Sequence, residues 1–209
     1  MSSEQYLIEQ IDDIKLKLSA EPENPNHLHD LGVAYYLLGE YGKSVQTLKQ
    51  AVAIEPENST FKFNLANAFA EEGKFGLAKK NFHDVLDNDP GHIPSLTNLA
   101  DCYEATGDNG QAQQLFEYIT RIAPDNALSH FNLGNFLLRK NRHIEAAKCY
   151  EKAIEVEKTF TDAYHNLAWI LNEVKAHDAA LEFAEEGLSV DPLHEDLQKL
   201  ASEIRNQIG

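Results

Sequence analysis

Apolar and small residues recur along this chain with a constant spacing of 34 residues. Leu31, Leu65, Leu99, Leu133 and Leu167 share one place in the period, and each is followed by a small residue: Gly32, Ala66, Ala100, Gly134 and Ala168. Four residues after each leucine stands a large apolar side chain, Tyr35, Phe69, Tyr103, Leu137 or Leu171. A second small position (Ser44, Ala78, Ala112, Ala146, Ala180) precedes by four a second large one, Leu48, Phe82, Phe116 or Tyr150, which only Ala184 breaks. Counting each leucine as position seven gives five units, 25–58, 59–92, 93–126, 127–160 and 161–194, without insertion or deletion. A fixed period in this range marks a repeat array and outranks any local reading of secondary structure.

Each unit predicts two helices. Positions seven and eleven fall on one helical face, because residues four apart stack over each other. Small residues at eight and twenty let two helix backbones approach closely. Gly39, Gly73, Gly107 and Asn141 occupy position fifteen, where a left-handed C-cap ends the first helix. Pro56, Pro90, Pro124 and Pro192 stop the second helix, since proline cannot continue the i→i−4 ladder. Lys175 at position fifteen of the fifth unit and Lys158 at the proline place of the fourth depart from this punctuation without shifting the register.

Small-8, aromatic-11, Gly-15, Ala-20, aromatic-24 and Pro-32 together resemble the tetratricopeptide repeat, over residues 25–194. The resemblance implies an all-α fold, a right-handed α-solenoid of helix–turn–helix repeats whose first helices line a concave face. Such arrays bury their core between neighbouring units and need capped ends. Residues 1–24 read as an N-terminal capping half-repeat, with a helix over roughly 3–18 whose stripe is Leu7, Ile11, Ile14 and Leu18. Residues 195–209 read as a C-terminal capping helix with the stripe Leu197, Leu200, Ile204 and Ile208. Exchange of an end helix between two copies is the functional alternative to capping.

Composition narrows the partners. Eighteen Lys and Arg against 34 Asp and Glu give a formal net charge of −16. A surface so acidic repels phosphate backbones, whose binding relies on counterion release, so nucleic acid and anionic membrane are rejected as direct partners. The charge has two readings, solubility of an elongated protein or selection of a basic ligand. No stretch has the length of a membrane span, and the Met1-Ser2-Ser3-Glu4-Gln5 start lacks the pattern of a secretory leader. Cys102 and Cys149 predict reduced thiols rather than a disulfide framework. The compartment expected from these features is the cytoplasm.

No enzyme is expected, and no cofactor or metal. The nine histidines include no i, i+4 pair able to share a metal, although His130 and His165 sit at neighbouring repeat positions. Gly-rich phosphate loops, Cys-x-x-Cys pairs and Gly-x-Ser-x-Gly elbows are absent from the sequence.

What remains is a polar row. Position six carries Asp30, Asn64, Asn98, Asn132 and Asn166; position nine carries Asn67, Asp101, Asn135 and Trp169 after Val33. The family resemblance puts both positions on the inner wall, with Phe63 and Phe131 beside them. An asparagine amide both donates and accepts, so it can meet a peptide backbone whatever the side chains. With helical layers about 8–10 Å apart and a strand advancing about 3.3 Å per residue, five rungs would hold about a dozen residues. The row resembles the asparagine ladder of the O-linked N-acetylglucosamine transferase superhelix, without that enzyme's catalytic domain. The same asparagines can instead tie neighbouring helices together, and Phe63 and Phe131 can instead be inter-repeat packing. Chaperone-tail adaptors of this family clamp carboxylates with basic side chains, whereas here His29, Asn26, Phe63, Thr60, Pro94 and Thr97 stand at those places. The expected function is therefore a non-enzymatic adaptor that holds an extended or helical, neutral to basic segment of another protein. The alternative is a structural scaffold that self-associates as a homo-oligomer through end helices or the convex face.

Overall fold

The computed structural model describes residues 3–208, and among them there are twelve α-helices and no strand. In chain order they are α1 (Ser3–Ala20), α2 (Pro25–Leu37), α3 (Tyr41–Ile54), α4 (Ser59–Glu71), α5 (Phe75–Leu86), α6 (Ile93–Ala105), α7 (Asn109–Ile122), α8 (Ala127–Arg139), α9 (His143–Val156), α10 (Thr161–Glu173), α11 (His177–Val190) and α12 (Glu195–Ile208). The chain divides into two compact units, Met1–Leu115 and Phe116–Gly209.

Local chemistry sets the helix ends. Asn24, Asn58 and Asn126 are N-caps, and their side-chain oxygens accept backbone N–H groups of the first turn, from His27, Phe61 and Ser129 among others. Without such caps those donors would be orphaned. The first helices end on left-handed residues: Gly39 (φ 74°), Gly73 (φ 75°) and Gly107 (φ 82°), then Asn141 (φ 60°) and Lys175 (φ 63°). After each of them the chain returns a 2.8–3.0 Å bond from the next N–H to a carbonyl five residues back, as Lys74 N does to Phe69 O. The fifth unit thus makes the same turn with lysine that the first three make with glycine. α9 likewise ends on schedule without proline, at Glu157 in extended backbone.

In the first unit of structure, α2 packs on α3 and α4 on α5, with α1 against the front of α2. The large residues at position 24, Leu48 and Phe82, are fully buried among Leu65, Ala66, Phe69 and Leu99. Gly32 leaves room for Leu48, since a Cβ there would stand 2.5 Å from its Cγ. In the second, α8 packs on α9, α10 on α11, and α12 closes against α10 and α11. Gly134 faces the ring of Tyr150, which a Cβ would approach to 2.7 Å. Where Ala184 replaces the large residue of the frame, Leu197, Leu200 and Ile204 from α12 complete the buried cluster. Ile11, Ile14 and Leu18 dock α1 on Leu31 and Ala34 as their spacing predicts. α1 runs two residues past its expected end, because Ser19 Oγ bonds back to Lys15 O and no breaker precedes Pro22. Ile208, read as core, is 47 % exposed at the last turn of α12, whereas Ile204 one turn earlier is buried.

Candidate ligand-binding wall

Three first helices of the unit Met1–Leu115 bring part of the predicted polar row together. Asn98 Nδ2 donates to Asn67 Oδ1 at 2.8 Å, from position six of one repeat to position nine of the one before. Asn64 Nδ2 donates to His29 Nε2 at 2.7 Å. That bond makes Nε2 an acceptor, so the imidazole proton sits on Nδ1 and points at Asp30 Oδ1, 3.3 Å away. These amides therefore link neighbouring helices, the structural role open to them from the sequence. They are only half-buried, however, and the bonds leave Asn98 Oδ1 and the Asn67 amide nitrogen without another protein partner among the described residues.

Both asparagines line a cavity of about 490 Å³, together with Tyr36, Ala70, Glu71, Gly73, Phe75, Asp101, Cys102 and Ala105. Its polar wall is the pair of amides with two carboxylates; its apolar wall is Phe75, Ala70 and the ring of Tyr36. Tyr36 packs edge-on against Tyr41, ring centres 5.6 Å apart. Burial, with the Glu71 carboxylate next in weight, raises the Tyr36 hydroxyl above the ordinary phenol range, so it remains a donor at neutral pH. Burial also pushes the Cys102 thiol up to about 11, with Asp101 adding to the effect. A thiol held protonated is a poor nucleophile. Phe75, Gly73 and Cys102 were not legible as lining residues. Phe75 belongs to a second helix, and only the tight turn at Gly73 brings it beside the first-helix row. Asp30 lies apart from this cavity, in a different depression between α1 and α2.

The unit Phe116–Gly209 repeats the arrangement with different outcomes. Asn166 Nδ2 donates to Asn135 Oδ1 at 3.1 Å, and the Tyr150 hydroxyl donates to the same oxygen at 2.8 Å. The imidazole of His165 meets Asn166 Oδ1 at 3.1 Å, so this asparagine is engaged from both sides. Burial pushes the Tyr150 phenol up to about 12, against a smaller lowering by the neighbouring Asn166 amide. Trp169 is half-buried against the core cluster of this unit, with the His143 ring edge-on 6.0 Å away. Asn132 is half-buried on α8. Phe131 sits between Tyr150 and Phe160, at 5.6 and 4.9 Å, and Phe63 of the first unit between Phe82 and His92, at 6.0 and 5.3 Å. Both rings have the packing role that was the alternative to ligand contact.

The histidines do not assemble. His165 stacks on His194 with centres 6.0 Å apart, whereas His130 turns to the carbonyl of Pro124 at 2.9 Å. His92 and His194 act as N-caps, their Nδ1 atoms accepting from Ser95 N and Leu197 N, both at 3.3 Å. Among the described residues no three His, Cys, Asp or Glu side chains are grouped to hold a metal, and no helix is long and apolar enough to cross a membrane.

Comparison with known proteins bears on the family of the repeats. Tetratricopeptide repeat models match residues 32–73, 69–133, 127–160 and 149–182. A search of curated proteins finds no match. Among solved structures, a tetratricopeptide repeat protein from Parabacteroides merdae is 15 % identical at a TM-score of 0.73, covering 96 % of this chain and 78 % of that one. TTC0263, a thermophilic TPR protein of Thermus thermophilus, is 20 % identical at 0.63, covering 86 % and 98 %. YrrB, described as a TPR protein with an unusual peptide-binding site, is 13 % identical at 0.59, covering 89 % and 96 %. At these identities the likeness speaks for the fold. With the 34-residue frame, the helical hairpins and four matching models in agreement, this all-α chain belongs to the tetratricopeptide repeat family.

Proposed function

We propose that this protein is a non-enzymatic adaptor whose first helices hold a neutral to basic segment of another protein. Tetratricopeptide repeats are in general protein-interaction modules, and that coarse role follows from the family. The finer reading rests on one observation. The Asn67–Asn98 bond fixes two amides in orientation and leaves a carbonyl and an N–H unpaired, and both side chains line a cavity with Tyr36 and Phe75. Fixed amides meet a peptide backbone without losing rotamer freedom on binding. Glu71 on the same wall favours lysine or arginine on the ligand. Three first-helix layers about 8–10 Å apart match about six residues of extended chain. Asn64, Asn132, Asn135, Asn166 and Trp169 are assigned to the same kind of contact, with Asn135 and Asn166 each already making two bonds. Phe63 and Phe131 support the wall from behind.

Selection of displayed random twelve-residue peptides against the whole protein tests this reading. Selected peptides should be enriched in Lys, Arg and apolar residues. Their affinity should fall at least tenfold for Asn67→Ala/Asn98→Ala and again for Glu71→Lys, with the helical circular dichroism retained. Acidic selected peptides, or binding indifferent to these changes, would remove the wall from the mechanism. Concentration-dependent assembly without peptide binding would favour the self-associating scaffold.

A further inference from the structure

The leading edge of the unit Met1–Leu115 has a second surface built like an inter-repeat joint. α1 stands in the place of a second helix, so α2 packs against it much as α4 packs against α3. Among the described residues no first helix flanks α2 on that side. The depression left there has a volume of about 490 Å³. Leu7, Ile14, Val33 and Ala34 form its floor, and Tyr6 and Leu37, 54 % and 61 % exposed, form its lips.

The polar rule of the fold says what this joint would read. Asn98 donates to Asn67, and Asn166 to Asn135, each from position six to position nine of the preceding first helix. Position six of α2 is Asp30, the one carboxylate at that position of the five units. An ionised carboxylate only accepts; His29 Nδ1–H meets one of its oxygens at 3.3 Å, and a donor to the other comes from the incoming helix. Glu9 and Asp13 stand on the α1 side, with Lys17 as the cation, held by Asp13 at 2.7 Å. Three carboxylates against one ammonium bias the joint towards a positive side chain. A second copy's α12 is a poor occupant. It is already packed in its own chain, and in the repeat frame its ninth position is Glu203, which would face Asp30.

We infer that the α1–α2 groove docks one amphipathic helix of a different protein, in the manner of a first helix, with a lysine or arginine placed on Asp30. This site is distinct from the amide wall around Asn67 and Asn98 and does not depend on it.

The probe is a stapled peptide copying residues 59–72, since α4 already has the shape of a first helix and Asn67 is its ninth position. It is made with Asn67→Lys and, separately, Asn67→Glu, and titrated into the full chain by fluorescence anisotropy. The lysine peptide should bind at least tenfold more tightly than the glutamate peptide. Asp30→Lys should invert that order, and Leu37→Glu should weaken both; both positions are exposed, so both variants should melt like the parent. Amide shifts in the NMR spectrum should fall on α1 and α2 and survive Asn67→Ala/Asn98→Ala in the protein. Equal binding of the two peptides, or shifts centred on Asn67 and Asn98, would overturn the proposal. So would a dimer in sedimentation that Leu37→Glu dissolves, which would give the groove to a second copy.

Discussion

The units Met1–Leu115 and Phe116–Gly209 contain the same hairpin but specify it differently. In the first, α2, α4 and α6 all begin on a capping side chain (Asn24, Asn58, His92) and all end on glycine. In the second, α10 begins at Phe160 with no side-chain cap, and the left-handed ends fall to Asn141 and Lys175. Both nevertheless bury small residues at the same two places of the frame, with Ala66, Ala78, Ala146 and Ala168 fully buried. The punctuation is therefore an aid, and the inter-helix packing fixes the frame. Where the two disagree, packing wins and the backbone absorbs the strain.

That contrast is open to attack in order of effect. Phe82→Ala removes a fully buried ring from the first unit and should lower stability by about 3–5 kcal/mol. The alanine at the matching place, Ala184, is tolerated because α12 fills the space. Denaturant unfolding that found Phe82→Ala neutral would refute the dominance of packing. Gly134→Ala drives a methyl into the Tyr150 ring, which its bond to Asn135 restrains, and should cost about 1–3 kcal/mol. Gly32→Ala meets the more adaptable end of Leu48 and should cost less. Lys175→Gly should stabilise the second unit by about 0.5–1 kcal/mol by relieving a left-handed lysine, and Gly73→Ala should destabilise the first by about 1 kcal/mol. Thermal melts of the two variants should move in opposite directions.

The last effect is nil at neutral pH. Burial raises Tyr150 to about 12 and both Cys102 and Cys149 to about 11. A folded value above the unfolded one means the protonated form is favoured by folding. That stability is fully present below the unfolded values of roughly 8.5–10 and is lost as pH rises through the folded ones. The melting temperature should hold from pH 7 to 8 and fall between about pH 9 and 12, less steeply for Tyr150→Phe. In native protein at pH 8 both thiols should alkylate far more slowly than free cysteine.

Much of the fold was legible because the repeat frame overlays five readings of one signal. Leu31 with Gly32, or Ala78 with Phe82, announces a buried joint whichever unit is read. The ends were legible where the residue acts alone: Asn58 caps and Gly73 turns the chain within a few bonds. His92 and His194 were missed as caps because histidine is rare in that role and its ring nitrogen accepts in only one tautomer. The wall was less legible for a related reason. Asn98 and Asn67 are 31 residues apart, and nothing local says that one amide spends an N–H on the other. Phe63 had two readings on position alone, and only the neighbouring rings of Phe82 and His92 show what it packs against. A row read from sequence gives direction, while the free valences depend on the neighbours.

The most direct test of the account is affinity capture from the native cell with the parent protein and Asn67→Ala/Asn98→Ala in parallel, quantified at low and raised salt. One set of partners should bind the parent, weaken with salt and be lost at least tenfold on the double variant, while the variant's melting curve stays cooperative. Partners retained equally by both proteins at both salts would contradict the amide wall as the binding surface.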